Sequence, residues 1–559
     1  MSDSIVTLKN INPQDILFVN LPSVSPDLSN TDAFTSAINP PLGLLYLANS
    51  IQNCTFVNSY KCVDFAAYNY ERFSKIEELK EFISKKLKHG GIEKPSVVAV
   101  SLMFSSSYDF FKIVIAEIKK CWQDTIVMVG GIHASNTVEY LLKNDCGIDY
   151  ITCGEGEEAF VEFLEMIATG TQKNILGVHS LSNIKKVGIN QFEQTNYIQD
   201  INIDYTRYSN LIDMEKYTAE TSLFSLSKTT LSVRSFAIMA SRGCPYHCTF
   251  CASHTVHGRV PRWRDIQNVV DEIRWLNKTY GVTKYYLIDD NFIPKSKAIE
   301  LFTVLSKIDI EGFEIVILNM SINSTNFGII DAIVAANITN IAFAIESGST
   351  RTQKKIKKNV RLDKAIDLVK YSQSKGLNVR CFYIIGFPGE TIEEMGETFE
   401  YAKRLGADWS TFSVASPIPG TEMYDEFVTL GYIEDGPNSW TAPTLRDRVF
   451  DTKEINRKEI EELAYKANLD VNFINNANIK KGDYETAKII FSNFIKMYDY
   501  HIFAYDCLRR IYKETGNRQK ENEIFEQMIA VLASNKKAQS YRKYFNFLDN
   551  DIRKVLEKT

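Results

Sequence analysis

The chain has 559 residues, of which 45% are hydrophobic and 24% charged, with a formal net charge of −5 and a pI near 6.0. This composition is that of a soluble globular protein with room for roughly three or four domains, and the charge excludes a basic field for nucleic acid. The first residues lack an apolar core behind a basic cluster, and no apolar run approaches the ~20 residues that cross a bilayer, so we expect a cytoplasmic protein.

Short apolar runs alternate with amphipathic segments over residues 1–171. This alternation predicts a Rossmann-like (flavodoxin-like) α/β domain, a parallel sheet with helices on both faces and ligands at the carboxyl ends of its strands. Two glycine-bearing turns, at residues 130–133 and 154–157, fall at such ends. The apolar runs that predict strands lie at residues 15–20, 97–102, 125–131 and 148–154, and the first predicted helix lies at 40–52.

A second βα series occupies residues 236–450. The preceding segment, residues 172–235, is rich in Asn, Ser and Thr and predicts a linker that wraps a neighbouring domain. Six βα units in a row predict a partial (β/α)6 barrel, with its chemistry at the carboxyl ends of the strands. The predicted strands are residues 236–241, 284–289, 314–319, 340–346, 378–385 and 408–414.

Residues 451–559 have an all-helical pattern. Within them, residues 482–491 and 516–525 align at a spacing of 34 residues. This spacing is the period of tetratricopeptide repeats, so we predict an all-α, TPR-like region. The alternative is a helical cap that only covers the barrel.

Three of the ten cysteines are crowded together as Cys244, Cys248 and Cys251, in a C-x3-C-x2-C array that follows a predicted strand. Thiolates hold iron–sulfur clusters, and a [4Fe–4S] cubane normally takes four of them. No fourth cysteine lies nearby, so one iron would keep no protein ligand and could bind a chelating substrate. A zinc site completed by a histidine is the alternative. The histidines in reach are His247, His254 and His257.

This array and its surroundings resemble the radical S-adenosylmethionine superfamily over residues 235–450. In that family the open iron chelates the amino and carboxylate groups of the methionine moiety. One electron then splits the sulfonium and yields a 5′-deoxyadenosyl radical. Four further segments at predicted strand ends carry the resemblance: LIDDNF (287–292), AIESGS (344–349), YIIGFPGET (383–391) and SPIPGT (416–421).

The resemblance implies contacts to S-adenosylmethionine at these strand ends. The Glu-Ser pair of residues 344–349 would lie near the ribose or methionine part, and the Gly-Phe pair of residues 383–391 would border the adenine. An aspartate of residues 287–292 would face the amino group, and the aromatic residue before the last cysteine matches a family preference. The residues so implied are Phe250, Asp289, Asp290, Glu346, Ser347, Gly386 and Phe387.

The first domain resembles the cobalamin-binding domain that precedes many radical enzymes of this type. The segments PPLGLLYLA (40–48), GGIHAS (130–135) and CGEGEEAF (153–160) carry this resemblance. The Asp-x-His-x-x-Gly signature is absent, because Asp64 is followed by Ala66, so histidine ligation of cobalt from that loop is excluded. Any cobalamin would then have another lower ligand, water or none. The candidate cobalamin contacts are Gly130, Gly131, His133, Gly154, Glu155 and Gly156, with His133 as a packing or cofactor-edge residue.

These resemblances imply a [4Fe–4S] cluster, S-adenosylmethionine and cobalamin as cofactors. The leading hypothesis is a radical enzyme that methylates an unactivated carbon. The alternatives are other cobalamin-dependent radical chemistry, cyclisation, rearrangement or carbon–carbon coupling without cobalamin, and a non-catalytic interaction protein of the TPR type. Expected partners are a small-molecule, lipid or peptide substrate, a reductant such as flavodoxin or ferredoxin, and a protein bound by the C-terminal helices.

The other seven cysteines are isolated from one another in the sequence. Methylthiotransferases usually carry a second cysteine trio in their first domain, and auxiliary clusters need further grouped cysteines. Neither arrangement is present, so we expect one cluster. The remaining thiols are predicted to be buried and inert. They are Cys54, Cys62, Cys121, Cys146, Cys153, Cys381 and Cys507.

Overall fold

The computed structural model describes residues 12–23, 25, 39–68, 73–145, 147–184, 197–218, 233–440 and 448–557. Cys146 lies outside these ranges. No helix within them combines the length and the hydropathy that crossing a membrane requires. Cys153, Cys381 and Cys507 are buried as predicted, whereas Cys54, Cys62 and Cys121 are only partly buried, so the prediction was too strong for these three.

The first sheet has six strands in the order β2-β1-β3-β4-β5-β6, parallel except for the last. Its first five strands follow the flavodoxin-like order. The strands are β1 (Gln14–Asn20), β2 (Val57–Asp64), β3 (Val97–Ser101), β4 (Ile126–Gly130), β5 (Tyr150–Thr152) and β6 (Val178–His179). The helices are α1 (Leu42–Ile51), α2 (Ile76–Lys88), α3 (Tyr108–Cys121), α4 (Ile132–Asn136), α5 (Val138–Asn144), α6 (Glu157–Thr169) and α7 (Leu181–Ile184).

Strand β1 shows why helices cover both faces of this sheet. Successive side chains of a strand point to opposite faces, and here both sets are apolar. Ile16 and Phe18 belong to the core that contains α1 and α6. Leu17 and Val19 belong to a second core that contains α2 and α3. The continuous apolar run in the sequence therefore predicted a central strand correctly.

Residues 197–218 connect the first domain with the central one and include two short helices, α8 (Tyr208–Leu211) and α9 (Met214–Thr218). The backbone N–H of Asp204 donates to Asn49 of α1 at 3.0 Å. The hydroxyl of Tyr208 donates to Glu272, in the central domain, at 2.6 Å. This segment therefore contacts both domains, whereas β6 and α7, within the predicted linker of residues 172–235, belong to the first domain.

The central domain contains a second six-stranded sheet, all parallel, in the order β14-β13-β12-β11-β10-β7. All six predicted strands are present. They are β7 (Ser235–Ile238), β10 (Lys284–Leu287), β11 (Glu314–Met320), β12 (Asn340–Glu346), β13 (Asn378–Ile385) and β14 (Trp409–Val414), while β8 (Ser241–Arg242) and β9 (Arg262–Trp263) form a small antiparallel pair. The helices are α10 (His254–His257), α11 (Ile266–Tyr280), α12 (Lys295–Leu305), α13 (Phe327–Ala335), α14 (Thr350–Lys355), α15 (Leu362–Ser374), α16 (Ile392–Leu405) and α17 (Glu422–Thr429).

The last region is helical and packs beside β14. The side chain of Asn472 accepts from the backbone N–H of Ser410 at 2.8 Å and donates to its carbonyl oxygen at 2.7 Å. Trp409 joins the apolar core of this region. The helices are α18 (Arg457–Leu469), α19 (Ala477–Lys480), α20 (Tyr484–Met497), α21 (Ile502–Glu514), α22 (Arg518–Ser534), α23 (Lys536–Gln539) and α24 (Asn550–Leu556). The helical prediction is confirmed, while its TPR-like label stays a prediction.

A buried ion-pair network joins the first domain to the central one. Glu155, between β5 and α6, lies 2.6 Å from Arg262, 3.2 Å from Arg242 and 3.2 Å from His257. Glu157 lies 2.8 Å from Arg242. Burial alone would raise the pKa of Glu155, but the hydrogen bonds from His257 and Arg262 and the charge of Arg242 hold it at about 2. The carboxylate therefore stays ionised inside the interface.

We expect Glu155→Gln to lower the thermal unfolding midpoint through a loss of about 3 kcal/mol, because removing one partner of a buried pair leaves Arg262 and Arg242 with less compensation. Differential scanning calorimetry of the full chain measures this change. Glu158→Gln is the matched control, since Glu158 is exposed on α6. Equal midpoints for the two variants would contradict the role of Glu155.

The same carboxylate predicts a pH dependence. The pKa of Glu155 is held at about 2 in the fold, below the value of about 4.3 for an unfolded glutamate. Its contribution to stability is therefore complete above about pH 4.3 and declines as the pH falls towards 2. An acid titration followed by tryptophan fluorescence should show a transition in this window that is weaker in Glu155→Gln. An identical titration in both proteins would argue against it.

Candidate functional site

The three cysteines lie on one loop between β8 and α10, and each is partly buried. Gly243, just before the loop, has φ +92°, and a Cβ there would come within 2.6 Å of the carbonyl oxygen of Val260. Only glycine therefore permits this turn. The backbone N–H of Cys244 donates to Gly258 at 3.3 Å, and that of Cys251 donates to Cys248 at 3.3 Å.

Asp290 braces both ends of this cysteine loop. Its Oδ2 accepts from the backbone N–H of Gly243 at 3.0 Å, and its Oδ1 accepts from the hydroxyl of Ser253. The neighbouring Asp289 is buried and accepts from the backbone N–H of Ala240 at 3.1 Å. Burial raises the pKa of Asp289 to about 7, and its Oδ2 has no hydrogen-bond partner. Of the two predicted cofactor aspartates, Asp290 therefore holds the cysteine loop, and Asp289 holds the backbone just before it at Ala240 and Ser241.

The donor set fits a cluster better than a zinc site. Burial raises the pKa of the Cys248 thiol to about 11, opposed by the charge of Lys358. Within the described ranges, no three or more His, Cys, Asp or Glu side chains are grouped so as to hold a metal ion. His254 contacts the carbonyl oxygen of Cys251 at 3.0 Å, and His257 is paired with Glu155. In a cubane each thiolate binds its own iron, so three thiols need not converge on one point as zinc ligands do.

Glu346 ends β12 with a positive φ of +70°, a conformation uncommon for any residue with a side chain. Its carboxylate lies 3.1 Å from the ammonium of Lys358, and both side chains are buried or nearly so. Ser347 points elsewhere, since its hydroxyl lies 3.0 Å from that of Thr398 on α16. The adjacent side chains of Glu346 and Ser347 therefore have different partners, Lys358 for the first and Thr398 for the second. Lys358 was not predicted, because it belongs to a basic run that suggests a solvated surface.

The Gly-Phe turn after β13 is held by Glu390. One oxygen of this carboxylate accepts from the backbone N–H of Gly386 at 2.6 Å and from that of Phe387 at 3.1 Å. Burial raises the pKa of Glu390 to about 7. The ring of Phe387 lies 5.7 Å from that of Phe250, centroid to centroid. The structure thus brings together two of the predicted cofactor residues, one on the cysteine loop and one on the turn.

The glycine turn after β4 lies at the predicted cofactor edge of the first domain. Gly131 has φ +110°, and a Cβ there would come within 2.6 Å of the carbonyl oxygen of Leu102. His133 follows on α4, where its Nδ1 bonds the hydroxyl of Ser105 at 2.8 Å and its ring contacts Trp440 at 4.7 Å. Burial lowers the pKa of His133 to about 3. The imidazole is therefore neutral and packed, with its Nε2 buried without a partner.

The remaining candidates for cobalamin contacts lie in nearby turns. Gly130 packs beside Thr152, and Gly156 packs beside Leu47. The backbone N–H of Gly154 donates to the hydroxyl of Ser135 at 3.1 Å. Glu155 contributes its carboxylate to the interdomain ion pairs. Of these four residues, Glu155 is therefore the one that contacts the central domain.

A hydrogen bond joins α4, which follows the glycine turn, to α10, which follows the cysteine loop. The side-chain amide of Asn136, at the end of α4, donates to the hydroxyl of Thr255 on α10 at 3.1 Å. Asn136 also packs against Gly420 in the turn after β14. The glycine turn at residues 130–133 and the cysteine loop therefore approach each other across this contact.

We expect Asp290→Ala to lower the iron bound after reconstitution at least threefold, because the loop loses its tie to Gly243 and Ser253. Iron and sulfide per chain, measured beside the circular dichroism spectrum, test this. Asp271→Ala is the control, since Asp271 lies on the exposed side of α11. Unchanged iron content in a folded Asp290→Ala protein would refute the bracing role.

Two family models match the chain. The radical SAM superfamily matches residues 238–402, and the B12 binding domain matches residues 36–164. The first range includes the cysteine loop and strands β8 to β13, and the second includes the glycine turns and strands β2 to β5. Together they support a [4Fe–4S] cluster, S-adenosylmethionine and cobalamin as the cofactors of the chain.

Similar proteins share nearly the whole of this architecture. An uncharacterized methyltransferase of Pyrococcus horikoshii is 30% identical over 432 residues, covering 77% of this chain and 86% of that protein. The cytidylyl-2-hydroxyethylphosphonate methyltransferase of Streptomyces wedmorensis is 28% identical over 471 residues, covering 77% and 86%. The structure of the cobalamin-dependent S-adenosylmethionine radical enzyme OxsB has a TM-score of 0.57 at 15% identity, covering 98% of this chain and 83% of OxsB, which shows the shared fold. The chain therefore belongs to the cobalamin-dependent radical SAM methyltransferase family.

Proposed function

We propose that this radical SAM enzyme cleaves S-adenosylmethionine reductively at a cluster held by Cys244, Cys248 and Cys251, and methylates an unactivated carbon. The contact between Asn136 and Thr255, at 3.1 Å, carries the proposal. It holds the cobalamin-binding edge beside the cysteine loop, so both cofactors can serve one substrate. Enzymes gain much of their rate from holding reactants in such fixed positions.

The cofactors supply chemistry that no side chain of the chain could perform. When bound, the cluster and S-adenosylmethionine provide a carbon-centred radical, and cobalamin provides the methyl group. The chain would supply the thiolates of the cysteine loop, and with three protein ligands one iron of the cluster would stay available to chelate S-adenosylmethionine. Asp290 keeps this loop in place through Gly243 and Ser253.

Further residues would position S-adenosylmethionine. We assign Glu346 to its ribose or methionine part and the turn of Gly386 and Phe387 to its adenine. The rings of Phe250 and Phe387 contact each other and would keep water from the reacting carbon. Asp289 and Asp290 stay candidates for the amino group, alongside the contact of Asp290 to the cysteine loop and that of Asp289 to the backbone before it.

The inner face of the central sheet offers a wall for the substrate. Along β13 the residues that alternate with the buried, helix-facing ones are Arg380, Phe382 and Ile384, all partly exposed. Leu318 of β11 is also partly exposed. A substrate lying along this wall would contact Phe382 and Ile384 near the carboxyl end of β13 and the guanidinium of Arg380 nearer its amino end. We propose a small molecule, lipid or peptide as substrate and a flavodoxin or ferredoxin as reductant.

An anaerobic assay with S-adenosylmethionine labelled in its methyl group tests the proposal, with added cobalamin, a strong reductant and candidate extracts. We expect 5′-deoxyadenosine together with a methylated product that carries the label. Cys248→Ala should abolish both, because the cluster loses a ligand. Cys54→Ala is the control, since that partly buried thiol lies in the first domain.

The two halves of the proposal fail differently. Formation of 5′-deoxyadenosine by Cys248→Ala would refute the cluster assignment. In the parent enzyme, 5′-deoxyadenosine without label in any product would contradict methyl transfer and favour another radical reaction.

A further inference from the structure

Lys358 lies three residues beyond α14 and is turned towards the cysteine loop. The carbonyl oxygen of Ile356 accepts from the backbone N–H of Thr249, inside that loop, at 3.1 Å. The carbonyl oxygen of Lys358 itself accepts from the side chain of Asn323 at 3.2 Å. The segment is thus fixed to the loop by its backbone, independently of the lysine side chain.

The ammonium of Lys358 is buried beside the carboxylate of Glu346. It lies 3.1 Å from the carboxylate of Glu346, and the two side chains are 11% and 8% exposed. Burial alone would lower the pKa of Lys358, but Glu346 and the nearby sulfurs of Cys248 and Cys251 raise it above its usual value. The ammonium is therefore a positive charge held by Glu346, in the segment whose backbone bonds to Thr249 between Cys248 and Cys251.

The neighbouring lysines of the same basic run differ from Lys358. Lys357 is 49% exposed and pairs with Glu422, and Lys355 is 38% exposed and pairs with Glu426. Their partners lie on α17, at the surface. A solvated basic segment would leave every lysine in water, so the burial of Lys358 calls for a local cause.

We propose that Lys358 raises the reduction potential of the cluster bound by Cys244, Cys248 and Cys251, and that Glu346 opposes it. The inference rests on the proposed cluster. On reduction the oxidised 2+ cluster takes one electron from an external one-electron reductant and becomes 1+, so the thiolate-ligated group gains one negative charge. A buried ammonium stabilises that added charge, and a buried carboxylate disfavours it, because interactions between charges are strong away from water. Nearby charges and hydrogen bonds are among the features that set cluster potentials.

The potential is measured on the full chain with a reconstituted cluster and without S-adenosylmethionine, by a redox titration followed by electron paramagnetic resonance. We expect Lys358→Met to disfavour reduction at least tenfold, a shift of about 59 mV for a one-electron couple. Glu346→Gln should shift the potential in the opposite direction. Lys358→Arg keeps the positive charge and should have the potential of the parent protein. Lys357→Met should also leave the potential unchanged.

A double variant gives a second measurement in case Lys358→Met fails to fold or to bind the cluster. Lys358→Met alone leaves Glu346 buried without its ion pair and could lose the cluster, whereas Lys358→Met/Glu346→Gln removes both charges. Its potential should lie below that of Glu346→Gln. The proposal would be overturned if the equilibrium constant for reducing the cluster changed less than threefold in both single variants. It would also be overturned if both single variants shifted the potential in the same direction. Weaker binding of S-adenosylmethionine by Lys358→Met at an unchanged potential would overturn it as well, because the lysine would then serve only the cofactor.

Failure of the underlying cluster assignment would look different. A parent protein that binds no iron and gives no signal on reduction would refute the cluster itself. A parent with a normal cluster, and variants with unshifted potentials, would refute only the role of Lys358.

Discussion

The buried carboxylate of Glu155 constrains how the two α/β domains meet. Its partners Arg262, Arg242 and His257 all belong to the central domain and lie within 3.2 Å. Charges removed from water are costly unless they are paired with good geometry. A shift of one domain relative to the other would break these ion pairs and leave buried charges without compensation. The network therefore fixes the relative position of the glycine turns and the cysteine loop. Apolar packing alone would allow several such positions, since it is not directional.

The same use of carboxylates recurs inside the site. Asp290 holds the start of the cysteine loop, and Glu390 holds the turn of Gly386 and Phe387. In both cases a side chain accepts hydrogen bonds from backbone N–H groups that the end of a strand leaves without a partner. The acidic residues near the strand ends therefore shape the loops first. A site whose loops are fixed before the cofactors arrive loses less entropy on binding them.

The sequence predicted the elements of the central domain well, because strands β10 to β14 are short apolar runs separated by amphipathic helices. It also located the cysteine loop and the glycine turns. It did not predict the contacts between distant residues. Glu155 was expected at a cofactor, yet its carboxylate is engaged by arginines about a hundred positions away, and only the folded chain brings them together. Lys358 was missed for a related reason, since neighbouring lysines of the same run are exposed.

Glu346 shows why one strand end combines backbone strain with buried charge. A residue other than glycine in the left-handed region costs on the order of 1–3 kcal/mol unless its surroundings compensate. Glycine would adopt the φ of +70° freely, but it would leave the ammonium of Lys358 without its carboxylate at 3.1 Å. Losing a buried partner costs about 3–5 kcal/mol, which exceeds the strain. The balance of these two terms favours glutamate at this strand end once Lys358 is buried beside the cysteines.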